Sequence, residues 1–324
     1  MPNRDLRVTL LGVDRTGPAF RSAASGADGL AGGFAKFGRI AGAAAVGAGV
    51  GLLALGSKAM TAGADFDATL RQMAAVAGVP QAGLKQLSAL ALQMGADTKF
   101  SAQGAADAML ELAKGGMTAA QIKGGVLKQT LTLAAAGGIE LAEAGGVMST
   151  AMNTFGISAA KAGQVAAALA GGANASTASV QSLAQGLGNI GPVARSVGMS
   201  IQDTTGALAA LDQAGIKGAE GGTALRSMLN GLTPTTDKAK GAMQELGISF
   251  TNADGSFKSV SQIAQVLQDR MSKLAPATRA AAMETIFGTY GQQAANVLMQ
   301  NGAEGINTYI KATNDQAAAQ KVAD

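Results

Sequence analysis

Cysteine, histidine and tryptophan are all absent from the 324 residues. Without cysteine there can be no disulfide and no thiol nucleophile, and without histidine no imidazole base and none of the commonest zinc sites. The missing cysteines do not fix a compartment. Aromatic residues amount to 3% of the chain, charged residues to 14%, and proline occurs six times. Glycine, by contrast, occurs 46 times, about twice its average share. Large aromatics supply much of the apolar area in ordinary cores. A long chain of small residues therefore implies closely packed helices with modest burial per residue, and marginal stability for the isolated chain is expected. The length is ample for a sizeable core.

The formal net charge of +4 resides entirely in the head of the chain. Through Lys58 there are seven basic residues against three acidic ones, and beyond it 18 against 18. A basic head of residues 1–39 can meet DNA phosphates, anionic lipid or an acidic partner, or serve as a soluble leader. Leu6 to Val13 reads as a short strand closed by Asp14 and Gly17-Pro18, followed by a polar helix from about Ala19 to Phe37. Ile40 to Ser57 then runs 18 residues without a charge. Within the apolar stretch 40–59, Ile40, Leu52, Leu53 and Leu55 carry most of the hydrophobicity, and Gly47 and Gly51 form a Gly-x-x-x-Gly face. A membrane span needs about 20 apolar residues, whereas the many glycines here weaken a helix by up to about 1 kcal/mol each. Burial, or packing in a lumen, competes with conditional membrane insertion. A secretory signal fits poorly, because 39 residues precede the run.

Beyond residue 60 a pattern of glycine, an aliphatic residue, then Pro, Thr or Ser returns about every 40 residues. It stands at Gly78-Val79-Pro80, Gly116-Met117-Thr118, Gly156-Ile157-Ser158, Gly198-Met199-Ser200 and Gly247-Ile248-Ser249. Glycine suits the end of one helix, the aliphatic residue packs back, and Thr or Ser caps the next. Helical faces lie between these stops: Phe66, Leu70, Met73 and Ala77; Leu84, Leu87, Ala91 and Met94; Ala105, Met109 and Leu112 behind a Ser101 cap. Ile248 to Val260, turning at Asn252-Ala253-Asp254-Gly255, reads as a β-hairpin near 248–258. Helices follow from about Ser259 to Leu274 and from Pro276 to Phe287-Gly288. Residues 316–324 begin a helix expected to continue beyond the given chain. The fold class is therefore all-α: an array of short helices and helical hairpins, irregular rather than a true solenoid, with one small N-terminal strand and one hairpin.

No catalytic constellation emerges, and no cofactor, metal or catalytic residue is expected. Gly186-Leu187-Gly188-Asn189-Ile190-Gly191 matches a dinucleotide fingerprint, but that motif has meaning only after a strand, and Ser182 to Gln185 reads as helix. No phosphate-binding loop of the Walker type occurs. The Asp254 turn lacks carboxylates for a calcium loop, and the glutamates lie among small residues with few aromatics to build a sugar cleft. The chain reads as a non-enzyme.

The most distinctive stretch is Gly215-Ile216-Lys217-Gly218-Ala219-Glu220-Gly221-Gly222-Thr223-Ala224-Leu225-Arg226. Its glycines permit a sharp turn between a helix ending near Gln213 and one starting near Thr223, with Leu225, Met228, Leu229 and Leu232 forming an apolar face. The order Gly-Ile-Lys-Gly, then Gly-Thr-Ala-Leu-Arg, resembles the core region of phage tail tape measure proteins. Phe66 in Ala-Asp-Phe-Asp, Phe100 in Thr-Lys-Phe-Ser-Ala, the Asp254-Gly255 turn and Ile286-Phe287-Gly288 are similar too, so the resemblance spans roughly residues 60 to 315.

The resemblance implies a protein of the virion, in the tail lumen, and in the host cytoplasm during assembly. Such a protein nucleates tail-tube growth, sets tail length, fills the lumen and leaves during DNA delivery. It implies contacts with the tail tube protein, tail-tip or baseplate proteins and assembly chaperones, homo-oligomers in the lumen, and contact with the host membrane. A helix rises 1.5 Å per residue, so a ruler works best as unbroken helix. With a stop about every 40 residues, residues 60–315 are expected to be a compact module rather than the ruled length. Two rivals are a membrane-active, pore-forming protein using residues 40–57 and a helical-repeat scaffold for a protein partner.

Overall fold

The computed structural model describes residues 51–315. Twelve α-helices follow in order: α1 (Gly51–Val76), α2 (Gln81–Asp97), α3 (Ala102–Lys114), α4 (Leu127–Gly137), α5 (Leu141–Phe155), α6 (Ala162–Asn174), α7 (Val180–Ser196), α8 (Ile201–Gln213), α9 (Gly218–Asn230), α10 (Asp237–Glu245), α11 (Val260–Met271) and α12 (Pro276–Thr313). A single α-turn (Ala119–Gln121) and a π-turn (Ile122–Val126) lead into α4, and a 3₁₀ turn (Ala159–Lys161) leads into α6. The described residues from Ala59 onward form one compact unit. The expected strand at Leu6–Val13 lies outside the described residues, as do Ile40, Gly47 and residues 316–324. Gly51, Leu52, Leu53 and Leu55 fall in the first turns of α1.

One physical device ends most of these helices. Gly78, Gly116, Gly138, Gly156, Gly198, Gly215 and Gly247 all take positive φ, from 61° to 92°, a region open to glycine at little cost. The aliphatic residue after each glycine then donates its N–H to the carbonyl five residues back. Val79 bonds Ala74, Met117 Leu112, Ile139 Ala134, Ile157 Met152, Met199 Ala194, Ile216 Leu211 and Ile248 Met243, at 2.7–3.2 Å. This is the Schellman closure, which satisfies carbonyls that the helix end leaves free. Thr118 and Ser200 then start the next element with full capping boxes, as Ser259 does for α11. Ser158 takes the capping position without a side-chain bond.

The faces read from sequence are buried. Leu70, Met73, Leu87, Ala91, Ala105, Met109 and Leu112 lie in one apolar core with Leu133, Val165, Leu169, Leu208 and Leu211, while Phe66, Leu84 and Met94 are partly covered. With few aromatics, tight packing comes from backbone approach. A Cβ on Gly222 of α9 would collide with the Gly186 carbonyl of α7, and one on Gly191 would meet the Thr154 methyl of α5. A Cβ on Gly291 of α12 would stand 2.9 Å from the Met228 nitrogen of α9, and one on Gly206 of α8 2.8 Å from the Ile310 side chain. The last turn of α12 ends between α6 and α8: Gly171 faces the Ala312 carbonyl, and the buried Thr313 donates to the Gln202 carbonyl at 3.3 Å. Helices far apart in sequence thus share one core, so the chain does not stack as successive hairpins.

Three expectations are corrected. The hairpin at 248–258 is a single antiparallel bridge, Thr251 to Phe257, and no strand occurs among the described residues. Ser259 already caps α11, leaving too few residues for a ladder, and Phe250 is drawn into the core instead. Helix α9 begins at Gly218 rather than near Thr223: Gly218 enters it at a positive φ of 53°, and Gly221 and Gly222 continue it where the Ile216 carbonyl and the α7 backbone come too close for a Cβ. The apparent period near 40 also dissolves. Gly138-Ile139 and Gly215-Ile216 close helices the same way but are followed by Glu140 and Lys217, so a pattern that demands Pro, Thr or Ser omits them.

Candidate functional site

The junction of α8 and α9 carries the most distinctive sequence, and it is built around a buried carboxylate. Asp212 stands in the last turn of α8 with its side chain 2% exposed. Ser182 of α7 donates its hydroxyl to Asp212 Oδ2, and Thr177 donates to Oδ1 at 3.2 Å. The same Ser182 oxygen accepts the Gly218 N–H at 2.9 Å, fixing the first residue of α9. Lys217 Nζ lies 3.9 Å from Asp212 Oδ1, but its side chain is 59% exposed, so the pair adds little. On the next turns Asn189 of α7 donates to the Ala219 carbonyl at 2.9 Å. Gly215, at φ 92°, turns the chain, and Ile216 packs partly covered against the core.

The family-like stretch therefore divides by role. Gly218, Gly221, Gly222 and Leu225 are buried, and Gly222 lets α9 reach the backbone of α7. Thr223 bonds the Ala219 carbonyl, while Lys217, Glu220 and Arg226 face solvent. The sequence reading missed Asp212, Thr177, Ser182 and Asn189. Asp212 carries a legible signal, since a carboxylate in the last turn of a helix opposes the helix dipole and calls for partners from elsewhere.

The remaining candidates do not gather at this junction. Phe66 and Phe100 are partly buried, with Lys99 Nζ 5.6 Å from the Phe100 ring centre. Asp254 and Gly255 form an exposed turn in which Ser256 donates to Asp254 Oδ1 from its hydroxyl (2.7 Å) and its N–H (3.0 Å). Those bonds, the hydroxyl's foremost, hold the Asp254 carboxyl below its ordinary value. Phe287 packs on Phe250, ring centres 5.8 Å apart, and Gly288 breaks α12 immediately afterwards.

Two depressions open on the surface. One of ≈ 520 Å³ lies between α5 and α7, lined by Val147, Ala151, Phe155 and Leu187 with Glu111 and Glu143. Both acids already have donors, Lys114 for Glu111 and Gln181 for Glu143, each at 2.7 Å. The other, ≈ 320 Å³, is lined by Ser227, Asn230, Thr236, Thr285 and Phe287 at the end of α9. Neither lining includes a lysine or an arginine. Among the described residues no group of three or more acids could hold a metal ion. Among them, too, no single helix is long and apolar enough to cross a membrane. A pair bent by 116°, Ala119–Gly137 with Leu141–Phe155, passes on length and composition together, and it contributes Leu133, Met148 and Met152 to the core.

Comparison with known proteins gives these surfaces a context. The family model described as phage-related minor tail protein matches residues 88–288. The tape measure protein of Pneumococcus phage Dp-1 is 31% identical over 275 residues, covering 84% of this chain and 24% of that protein. The probable tape measure protein of Escherichia phage P2 is 31% identical over 266 residues, covering 80% of this chain and 32% of its own. The chain thus spans between 24% and 32% of the length of these relatives. No solved structure matches it.

Proposed function

The chain belongs to the phage-related minor tail protein family, and from that membership we propose that it is the packed helical module of a tail tape measure protein. A structural role in the phage tail follows from the family. The finer role is our reading: the protein sits in the tail lumen, nucleates tube growth, sets tail length and leaves during DNA delivery. The observation that carries it is similarity to two tape measure proteins across 84% and 80% of this chain.

Physical argument divides the work within such a protein. Helices closed by glycine every few turns cannot serve as an efficient ruler, since length per residue is greatest for uninterrupted helix among helical arrangements. The module is proposed to bind tail-tip or baseplate proteins, the tube protein or an assembly chaperone, and to associate with further copies in the lumen. Contact of the basic head with DNA, and of residues 40–57 with a host membrane, belong to the same proposal.

Tail length tests it. About 60 residues of capped, Ala-Glu-Lys-rich helix inserted between Ala317 and Ala318 in the source particle should lengthen tails by about 90 Å in electron micrographs. Tails of unchanged length in particles carrying the inserted protein would overturn the ruler role for this chain.

A further inference from the structure

Helix α12 is interrupted twice without a loop. Gly288 has φ 70° and ψ 176°, Gly302 has φ 59° and ψ −170°, and helix resumes after each. This corner of conformational space is open essentially to glycine alone. The breaks differ in their surroundings. A Cβ at Gly302 would meet the Gln268 carboxamide of α11 at 2.5–2.8 Å, whereas one at Gly288 would meet nothing within 4 Å. The backbone angles favour glycine at both positions, and at Gly302 a side chain would in addition have to displace the Gln268 carboxamide.

The breaks direct three short helices to three sets of neighbours. Before the first, Phe287 packs at a tilt against Phe250 and lies against Gly231 at the end of α9. Between them, Gly291 approaches the backbone of α9 at Met228. After the second, Ile310 and Ala312 lie against Gly206 of α8 and Gly171 of α6. A straight helix could not serve all three.

We propose that residues 276–313 have a second state, one continuous helix about 57 Å long, with Gly288 and Gly302 as the pivots. In the packed state, contacts with α6, α8, α9 and α11 hold both glycines outside the helical region. When those contacts are given up, each glycine can return to helical angles and regain the backbone bonds that the break costs. Confinement in a narrow tube would select the extended form, because a ligand or container shifts an equilibrium toward the state it accommodates better. That setting rests on the tape measure reading; the two-state behaviour of α12 does not.

The absence of cysteine allows spin labels to be placed cleanly at the exposed positions in Glu284→Cys and Thr308→Cys, one on each side of the breaks. A continuous helix puts these positions about 36 Å apart, and a helix broken at both glycines gives a different distance. Gly288→Ala adds a methyl group into open space and penalises only the broken backbone, so it should raise the population near 36 Å about tenfold in pulsed dipolar measurements. Gly302→Ala combined with Gln268→Ala should act in the same direction. An unchanged distance distribution in folded Gly288→Ala protein would overturn the proposal. Should Gly288→Ala not fold by circular dichroism, the labelled chain with its glycines intact decides. A minor component near 36 Å beside that of the packed state supports the two states, and the packed state's distance alone excludes them. Either failure would leave the tail assignment standing, since the tail-length experiment tests that separately.

Discussion

At the scale of single residues, Asp212 is the side chain whose environment says most. It is buried beneath the α8–α9 turn, takes hydroxyl donors from Thr177 and Ser182, and through Ser182 controls the first N–H of α9. Removing a donor from this carboxylate is costly, because Asp212 is buried away from water that could replace the lost partner. Asp212→Ala leaves the half-buried Ser182 hydroxyl without its acceptor, while the exposed Thr177 keeps the Asp212 main-chain carbonyl at 3.3 Å, and is expected to cost about 1–3 kcal/mol. Ser182→Ala removes a donor to the carboxylate and the acceptor for Gly218 at once, at a cost of about 1–3 kcal/mol. Urea denaturation of the single and double variants checks this. The double variant should lose less than the sum of the two, and strict additivity would show that the residues do not act as a unit.

At the scale of elements, the run that tempts a dinucleotide reading shows how glycine is used. It lies in the interior of α7, and its glycines are not equivalent. Gly186 lies beneath Leu208, and Gly191 against Thr154, whereas Gly188 is exposed with nothing near it. Gly222, on the facing helix, lies against the Gly186 backbone. Gly222→Ala forces α7 and α9 apart and is expected to destabilise by about 1–3 kcal/mol. Gly188→Ala changes only helix propensity and is expected to stabilise by up to about 1 kcal/mol. Melting temperatures of the two variants should therefore move in opposite directions. A shared direction would mean that close approach of α7 and α9 is not what the glycines serve.

At the scale of the whole molecule, α12 ties together helices from distant parts of the chain. Its final turns meet α6 at Gly171 and α8 at Gly206, and Thr313 bonds across 111 residues to the Gln202 carbonyl. Contacts of such long sequence separation cost loop-closure entropy, and they make the unit cooperative rather than a stack of local hairpins. A chain stopped after Gly302 uncovers the small-residue surfaces of α6 and α8. It should unfold at a lower urea concentration than the full chain, by more than any single glycine variant lowers it. Equal midpoints would show that residues 303–313 add nothing to the core.

Helix content, helix faces and most helix ends were determined by the sequence itself, because each depends on local chemistry. Apolar residues at helical spacing must be covered, glycine alone accepts the left-handed turn cheaply, and Ser101, Thr118, Ser200 and Ser259 satisfy the first N–H groups of the elements they cap. The order of motifs around Gly215–Arg226 also pointed to the family. The tertiary structure alone decided which glycines face a neighbour's backbone, that Asp212 lies buried among partners from α7 and the loop before it, and that Ile248–Phe257 closes as one bridge instead of a ladder. It also decided that α12 bends twice to reach α6 and α8. Apart from that local bridge, these outcomes depend on groups 30 or more residues apart in sequence, and such groups leave no local pattern because the space between helices is set by every helix at once.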